Sequence, residues 1–366
     1  MKYIFFVLNI VVDLAGHFLM FSIWRYFFGL DNIYLQVAVA TILLFWVFLT
    51  ALAPLLVHWH DNILSRSLYL VVGLWLGLML NTALVAAFFW LLDFTNIYSL
   101  DSWGAIGRTI IISLLPLLLL LPEAWWAQSH KVRRLSVSIQ DLPDFWIGRT
   151  IIHISDIHLG PVWRQRFFDS LVQKVNNLGA DAIFITGDLF DGMDGDFSWF
   201  RQRKFFAPLG IFYAFGNHDL ILGAGKVRSL LADSNIRILD NEMIESNGLQ
   251  ILGLTCYYEG RLDVKGKILS QVGYDSSKPS ILMYHEPKDI GAARTAGINL
   301  QLSGHTHGGQ LFPFNLLAHL LYRGFGSGLH RLHNFAISVT VGAGTWGPPL
   351  RLGSRSEIVV LKLLKS

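Results

Sequence analysis

The sequence predicts two architectures in one chain, an all-α transmembrane helical domain followed by an α/β domain. Three observations carry that expectation. The chain is 53% hydrophobic and 15% charged, with a mean hydropathy of +0.46, where a soluble domain usually has about a quarter charged residues. The deficit is local, because residues 1 to 127 hold almost no charge and the remainder resembles an ordinary soluble domain. Beyond residue 149, short β-like runs alternate with amphipathic or Gly-rich segments, the pattern of sheets covered by helices. The expected division is a transmembrane domain of about four helices at 1–127, a basic linker and entry strand at 128–149, and an α/β domain at 150–366.

Four apolar runs fill the first part: Tyr3 to Trp24, Leu35 to Trp59, Leu68 to Leu92 and Arg108 to Trp126. Each approaches or exceeds the ~20 residues a helix needs to cross ~30 Å of hydrocarbon. Trp24, Trp59, Trp90, Trp125 and Trp126 stand near run ends, where interfacial aromatics are placed. Pro54 and Pro116 lie inside runs, which membrane helices tolerate. The first run is too long for a signal peptide, is interrupted by Asp13, and is followed by no small-x-small cleavage pattern.

Lys131, Arg133 and Arg134 cluster just after the fourth run, whereas Arg25 and Arg108 stand alone in the first and third connections. The positive-inside rule then puts both termini in the cytoplasm, so the expected location is a multi-pass protein of the inner (plasma) membrane with its α/β domain cytoplasmic. A lone cysteine, Cys256, excludes an internal disulfide framework. The net charge of +3 is too small to suggest nucleic acid, though a weak basic bias beside a membrane favours anionic headgroups. Asp13 and His17 are four apart and share a helix face. A proton or ion relay is one reading; a buried polar pair joining helices is preferred, since Asn81 and Thr82 add too little polarity for a transport pathway.

The strands expected in the second part are Thr150 to Ser155, Ala182 to Thr186, Ile211 to Phe215, Gln250 to Leu254, Ile281 to Tyr284, Asn299 to Leu302, Ala336 to Thr340 and Ile358 to Leu361. Helices are expected over Gln165 to Asn177, Lys226 to Asp233 and Pro287 to Ala296. The polar residues of interest follow the strands. Asp156 and His158 follow the first, Gly187-Asp188 the second, and "GNHD" (Gly216 to Asp219) the third; His285 follows "ILMY", and "GHTH" (Gly304 to His307) a later one. In α/β folds such positions converge at the carboxyl ends of the strands.

Two aspartates, one asparagine and four histidines are then candidate ligands, with His218 beside them. Any one of these histidines alone is more often an ordinary surface or core residue, and Gly-Asp is common in turns. Five such motifs in order, each just after an apolar run, are a different matter. Imidazole with carboxylate suits first-row divalent ions, and the absence of thiolates argues against a structural zinc clip. Seven ligands suit two ions sharing a carboxylate, about 3.5–4 Å apart, clamping a phosphoryl displacement. Asp156 and His158, alternate residues at a strand end, are expected to point at one ion.

The series "DIH", "GDLFD", "GNHD", "YHEP" and "GHTHGGQ" resembles the calcineurin-like metallophosphoesterases, most closely the bacterial membrane-linked YkuE/YaeI-like branch. The resemblance covers roughly residues 135 to 366 and is reinforced by Gly342 to Gly344, Pro348, Arg351 and Glu357. It implies a four-layer α/β/β/α sandwich with two divalent metal ions (Mn, Zn, Fe or Mg). Asp156, His158 and His307 would hold one ion; Asn217, His285 and His305 would hold the other; Asp188 would bridge them. His218 would be the catalytic, non-ligand histidine, oriented by Asp219. Asp191 is read by default as a structural residue that orders the loop.

Chemistry supports those roles. Hydroxide made available near neutral pH by the metals is a sufficient nucleophile, so no covalent serine or cysteine is needed. His218 is suited to protonating the leaving oxygen or stabilising charge, and a carboxylate partner would favour its protonated form. After "LQILGL" related phosphoesterases often carry an acidic pair, where this chain has Thr255, Cys256, Tyr257 and Tyr258, so substrate preference is not transferable. Cys256 reads as a passive thiol and "GAGTWG" as a turn near the site. The expected function is a membrane-anchored phosphoesterase acting on a phosphodiester or pyrophosphate, with a lipid-linked phosphate as a substrate class suited to the membrane half. The alternatives are a catalytically silent scaffold, disfavoured because every ligand position is filled, and a membrane sensor or transporter regulated by the soluble domain.

Overall fold

The computed structural model describes residues 2–97, 100–255 and 267–366; Cys256, Tyr257 and Tyr258 lie outside them. The chain forms two compact units, Met1–Trp125 with Gly347–Leu350, and Trp126–Trp346 with Arg351–Ser366.

The first unit is built on α1 (Lys2–Phe28), α2 (Ile33–Trp59), α3 (Ile63–Phe94) and α4 (Gly104–Gln128). All four contain stretches long and apolar enough to cross a membrane. Each extends beyond its expected run, because polar caps outside the apolar core set the ends. The Asn32 side chain accepts from Tyr34 N at the start of α2, and Asn62 forms a capping box with Ser65 at the start of α3. Close approach is allowed where side chains are small: a Cβ on Gly16 would sit 2.7 Å from the Met79 methyl. The Asp13–His17 pair joins three helices. His17 Nδ1 lies 3.2 Å from Asp13 Oδ1, Trp75 donates to His17 Nε2 at 2.9 Å, and Thr50 donates to Asp13. A second polar pair joins α3 and α4: buried Asn81 donates to buried Glu123 at 3.1 Å.

The second unit holds two six-stranded sheets. The first runs in the order β1 (Lys131–Ile139), β12 (Glu357–Lys365), β2 (Thr150–Ile154), β3 (Ala182–Ile185), β4 (Ile211–Tyr213), β5 (Ile236–Ile238). The second runs β10 (Gly328–Leu332), β11 (Phe335–Val339), β9 (Leu300–Ser303), β8 (Ser280–Tyr284), β7 (Leu249–Leu254), β6 (Glu242–Ser246). β2 to β5 are mutually parallel, as are β7, β8, β9 and β11, so their carboxyl ends share one edge in each sheet. The segment expected as a basic linker and entry strand contains all of β1, which pairs with β12 over nine residues.

Alternating side chains sort into layers. Ile151, Ala182, Phe184 and Phe212 face Ile251, Ile281, Met283 and Leu300 between the sheets. Ile152, Ile154, Ile183 and Ile185 face outward onto α5 (Gln165–Asn177), whose Phe168, Leu171, Val172 and Val175 recur at helical spacing on its buried face. Each such side chain contributes roughly 1.5–3 kcal/mol on burial. On the far side, Leu252, Leu254, Leu282 and Ile337 meet Leu269 of α8 (Lys267–Gln271) and Ala293 of α9 (Ile290–Thr295). The result is the four-layer α/β/β/α sandwich. Shorter α6 (Asn217–Leu222), α7 (Ala224–Leu231) and α10 (Phe314–Leu321) complete it.

One histidine of the β2 run belongs to this core. His153 lies between the sheets with Nε2 2.9 Å from Thr186 Oγ1 and Nδ1 3.4 Å from Ser338 Oγ. Burial pushes it down from 6.5 to about 3. Below pH 6.5 the unfolded chain binds a proton that the fold refuses, so stability falls as pH drops through that window, by up to roughly 1.4 kcal/mol per pH unit. His153→Gln is expected to flatten the dependence of Tm on pH in metal-free protein. An unchanged slope below pH 6.5 would assign the acid sensitivity elsewhere.

Candidate metal centre

The carboxyl ends of β2, β3, β4, β8 and β9 deliver the candidate residues to one volume, and backbone bonds stitch their loops together. Asp156 N donates to Gly187 O at 3.0 Å and His158 N to Asp188 O at 3.0 Å; Gly304 N donates to His285 O at 2.8 Å and Ala343 N to Ser155 O at 2.9 Å. Asp156 and His158 do not converge through strand alternation, as the sequence suggested. β2 ends at Ile154, and both residues adopt φ of 52°. Asp188, His305 and His307 also have positive φ, at 51°, 69° and 50°. Five non-glycine residues in the left-handed region carry a cost that the surrounding hydrogen bonds must offset, a pattern found at functional sites. Two glycines permit the approach: a Cβ on Gly216 would lie 2.1 Å from Asp188 Oδ1, and one on Gly304 2.2 Å from Asp156 Oδ2.

Three groups of donor atoms result: Asp156, His158 and His307; Asp188, His285 and His305; and His158, Asp188 and His218. In the first, His307 Nε2 lies 3.3 Å from Asp156 Oδ1 and 3.1 Å from His158 Nε2. In the second, His285 Nε2 is 3.0 Å from Asp188 Oδ2 and 3.3 Å from His305 Nδ1, which is itself 2.9 Å from Asn217 Oδ1. Asp188 stands within reach of both clusters, 3.8 Å from His158 Nε2. Asp156, His158, Asp188 and His285 are buried, while Asn217, His218 and His305 are half-buried at the opening.

The donor chemistry fits divalent cations. The Asp191 carboxylate receives His158 Nδ1 at 3.1 Å, and the Thr186 carbonyl receives His285 Nδ1 at 2.7 Å. Both acceptors require a proton on Nδ1, which leaves the two Nε2 lone pairs facing inward, as outer partners do for metal-binding imidazoles. Nitrogen lone pairs facing one another at hydrogen-bond distance beside carboxylates want a cation between them. Burial alone would raise the Asp188 carboxyl, but His285, His218 and His158 hold it far below the ordinary carboxylate range. Burial lowers His307 and His305. His158 goes the other way, because Asp191, Asp188 and Asp156 overcome the effect of burial.

Asp219 does not orient His218. It is the third residue of α6, and from there its carboxylate folds back on the helix start. It accepts from Asp188 N at 2.7 Å, Gly216 N at 2.9 Å and Phe190 N at 3.0 Å. Burial and the Asp188 charge push it up to about 6. His218 Nδ1 instead meets the Asp191 carbonyl at 2.9 Å, and its backbone N–H donates to Asp188 Oδ1 at 2.8 Å. Asp191 therefore serves both histidines, where the sequence suggested only the ordering of a loop.

Two residues given no role from sequence also shape the site. The buried Arg351 guanidinium donates to the carbonyls of His307, Val341 and Gly344 at 3.1, 2.6 and 2.7 Å, tying two site loops together. The half-exposed Trp346 ring lies 6.0 Å from that of His218. Thr255, the described part of the divergent loop, donates to Asp240, and its N–H donates to Asn241 at 3.1 Å.

Removing the Asp219 carboxylate strands three N–H groups, at roughly 1–3 kcal/mol each. Asp219→Ala is thus expected to lower Tm by many degrees or prevent folding. A variant with wild-type Tm that had lost only turnover would return Asp219 to the catalytic role.

Residues 149–309 match the model of the family described as calcineurin-like phosphoesterase. A metallophosphoesterase of Aquifex aeolicus is 31% identical over 242 residues, which span 64% of this chain and 91% of that one. The chain belongs to the calcineurin-like phosphoesterase family. A metallophosphoesterase of Campylobacter jejuni is 37% identical over 229 residues, 61% of each chain. A Danio rerio protein named transmembrane protein with metallophosphoesterase domain is 33% identical over 260 residues, 64% of this chain and 58% of its own. The match thus spans about three fifths of the length of the Campylobacter and Danio relatives. The family uses divalent metals, and the Asp and His clusters are of the ligand types such ions take.

Proposed function

We propose that this chain is a membrane-anchored, dinuclear metal-dependent phosphoesterase that hydrolyses a phosphodiester or pyrophosphate bond, with a lipid-linked phosphate as its substrate class. The observation that carries the reading is the position of Asp188, whose carboxylate is within reach of two separate Asp/His clusters. Asp156, His158 and His307 would hold one divalent ion, and Asn217, His285 and His305 the other, with Asp188 between them. Ions held there would supply Lewis-acid polarisation of phosphoryl oxygens and a hydroxide nucleophile at neutral pH.

The protein's own groups do the rest. Asp191 and the Thr186 carbonyl keep His158 and His285 in the tautomer that presents Nε2. His218, half-buried at the opening with Nδ1 committed to a carbonyl, has Nε2 available for the leaving oxygen. Arg351 and the N–H groups held by Asp219 keep the loops rigid, so that donors are in place before substrate arrives. The four helices suited to a bilayer support a substrate that resides there, and retention in the same membrane raises its local concentration.

Metal analysis of the full chain should find two divalent ions per polypeptide. Chelation should abolish hydrolysis of a model diester, and readdition should restore it. In bilayers, a lipid pyrophosphate should be cleaved more efficiently than a soluble monoester. One ion per chain, or hydrolysis that survives chelation, would overturn the dinuclear reading; no preference for the lipid would remove the substrate class.

A further inference from the structure

Among the described residues of the second unit, one helix presents an apolar face to solvent. In α10, "FNLLAHLL", Ala318 is buried and Asn315 half-buried, while the remaining six residues are exposed. Leu316, Leu317, Leu320 and Leu321 are 59%, 49%, 72% and 68% exposed, flanked by Phe312 and Phe314 at 41% and 50%. Single exposed leucines are ordinary, but six large apolar side chains within ten residues form a patch that soluble surfaces avoid.

At the foot of this helix lies a cavity of about 350 Å³ whose lining includes Lys131, Arg133, Arg355, Asn315, His319 and Glu357. Three cations meet one carboxylate there, and Arg133 Nη1 is 4.0 Å from Glu357 Oε2. Asn315, Ala318 and His319 line the cavity from one face of α10, and the exposed leucines lie on its other face, so the helix divides a basic side from an apolar one. This division matches an amphipathic helix lying in a membrane interface, with its leucines toward the acyl region and anionic headgroup phosphates at the guanidinium and ammonium groups on its polar side.

Chain length tethers the cavity's first lining residue close to the end of a helix suited to a bilayer. α4, one of the helices suited to spanning a bilayer, ends at Gln128, and Lys131 follows three residues later. Three residues reach at most ~10 Å, comparable to the headgroup layer that flanks the hydrocarbon on each side. We propose that α10 and the Lys131–Arg133–Arg355 cavity form a docking surface for the bilayer, in which the cavity takes the phosphate of an anionic phospholipid and α10 lies in the interface. This contact is separate from the hydrolytic reading and does not depend on the identity of the substrate.

The test uses the full chain with its single cysteine replaced (Cys256→Ser) and a spin label at Leu320→Cys. Leu317→Cys serves as a second probe, and Asn334→Cys, in the exposed β10–β11 turn, as the aqueous control. In nanodiscs containing phosphatidylglycerol, collisions of the 317 and 320 labels with oxygen should exceed those with a water-soluble nickel chelate several-fold relative to the control. Nanodiscs of phosphatidylcholine alone, or the Lys131→Gln/Arg133→Gln variant in phosphatidylglycerol, should lose most of that difference. Labels as water-accessible as the control in phosphatidylglycerol would overturn the docking surface. Equal protection in both lipids would overturn the headgroup site. Protection that persists in detergent micelles and disappears on dilution would assign the helix to a second copy of the chain instead.

Discussion

Asp188→Asn is expected to lower turnover by ~10²–10⁴-fold, the effect of losing several kcal/mol of charge stabilisation at about 1.4 kcal/mol per decade. The substitution keeps the shape of the side chain. Its amide carbonyl can still accept the His218 N–H that now bonds Asp188 Oδ1 at 2.8 Å, so the loop after β3 should hold. What disappears is the negative charge that His285 Nε2 approaches at 3.0 Å and His158 Nε2 at 3.8 Å. Both clusters lose affinity together, so metal analysis should show occupancy falling at two ions rather than one. Far-UV circular dichroism should remain that of the wild type. A fully metallated, active Asp188→Asn protein would refute a shared carboxylate and with it the dinuclear proposal.

The strand framework was legible because strands buried on both faces are short continuous apolar runs. All eight expected strands form, with ends shifted by a residue or two except at β12, which runs from Glu357 to Lys365. The missed strands carry a different signal. β5 has three residues, β6 reads "EMIES" and β10 "GLHRL", all on or near sheet edges where polar residues interrupt the pattern. α6 was missed because a six-residue helix beginning inside the "GNHD" motif has no hydrophobic period to detect. α10 was missed because its eight residues hold only two polar positions, Asn315 and His319, too few to mark a period.

At the site, ligand types and their order could be read, but the partners of each side chain could not. The fate of the Asp219 carboxylate depends on it being the third residue of a helix that sequence did not show. Asp191 looked like a loop residue, because its bond to His158 crosses 33 positions. Backbone conformation was hidden as well. Asp156 and His158 have the i, i+2 spacing of a strand face, yet they lie in the loop after β2 with positive φ values. Only the neighbouring glycines hinted at close approach.

The second large effect belongs to His218, where geometry leaves two roles that one variant separates. Its ring shares a donor group with His158 and Asp188, so a ligand role is chemically open. Two observations favour a role toward substrate. Nδ1 is engaged by the Asp191 carbonyl at 2.9 Å, and the ring sits half-buried at the opening, beside the exposed Trp346, instead of in the buried wall. His218→Ala is therefore expected to retain both ions and to lose turnover by ~10²–10⁴-fold, as for removal of a general acid. The loss should shrink for esters whose leaving group is a weak base, because such a group departs without a proton. Measuring kcat across a series of aryl diesters separates the cases. A loss that grows with leaving-group pKa assigns proton transfer, and an equal loss across the series assigns charge stabilisation. A fall in metal content would make His218 a ligand and reassign the third donor group as part of the metal centre.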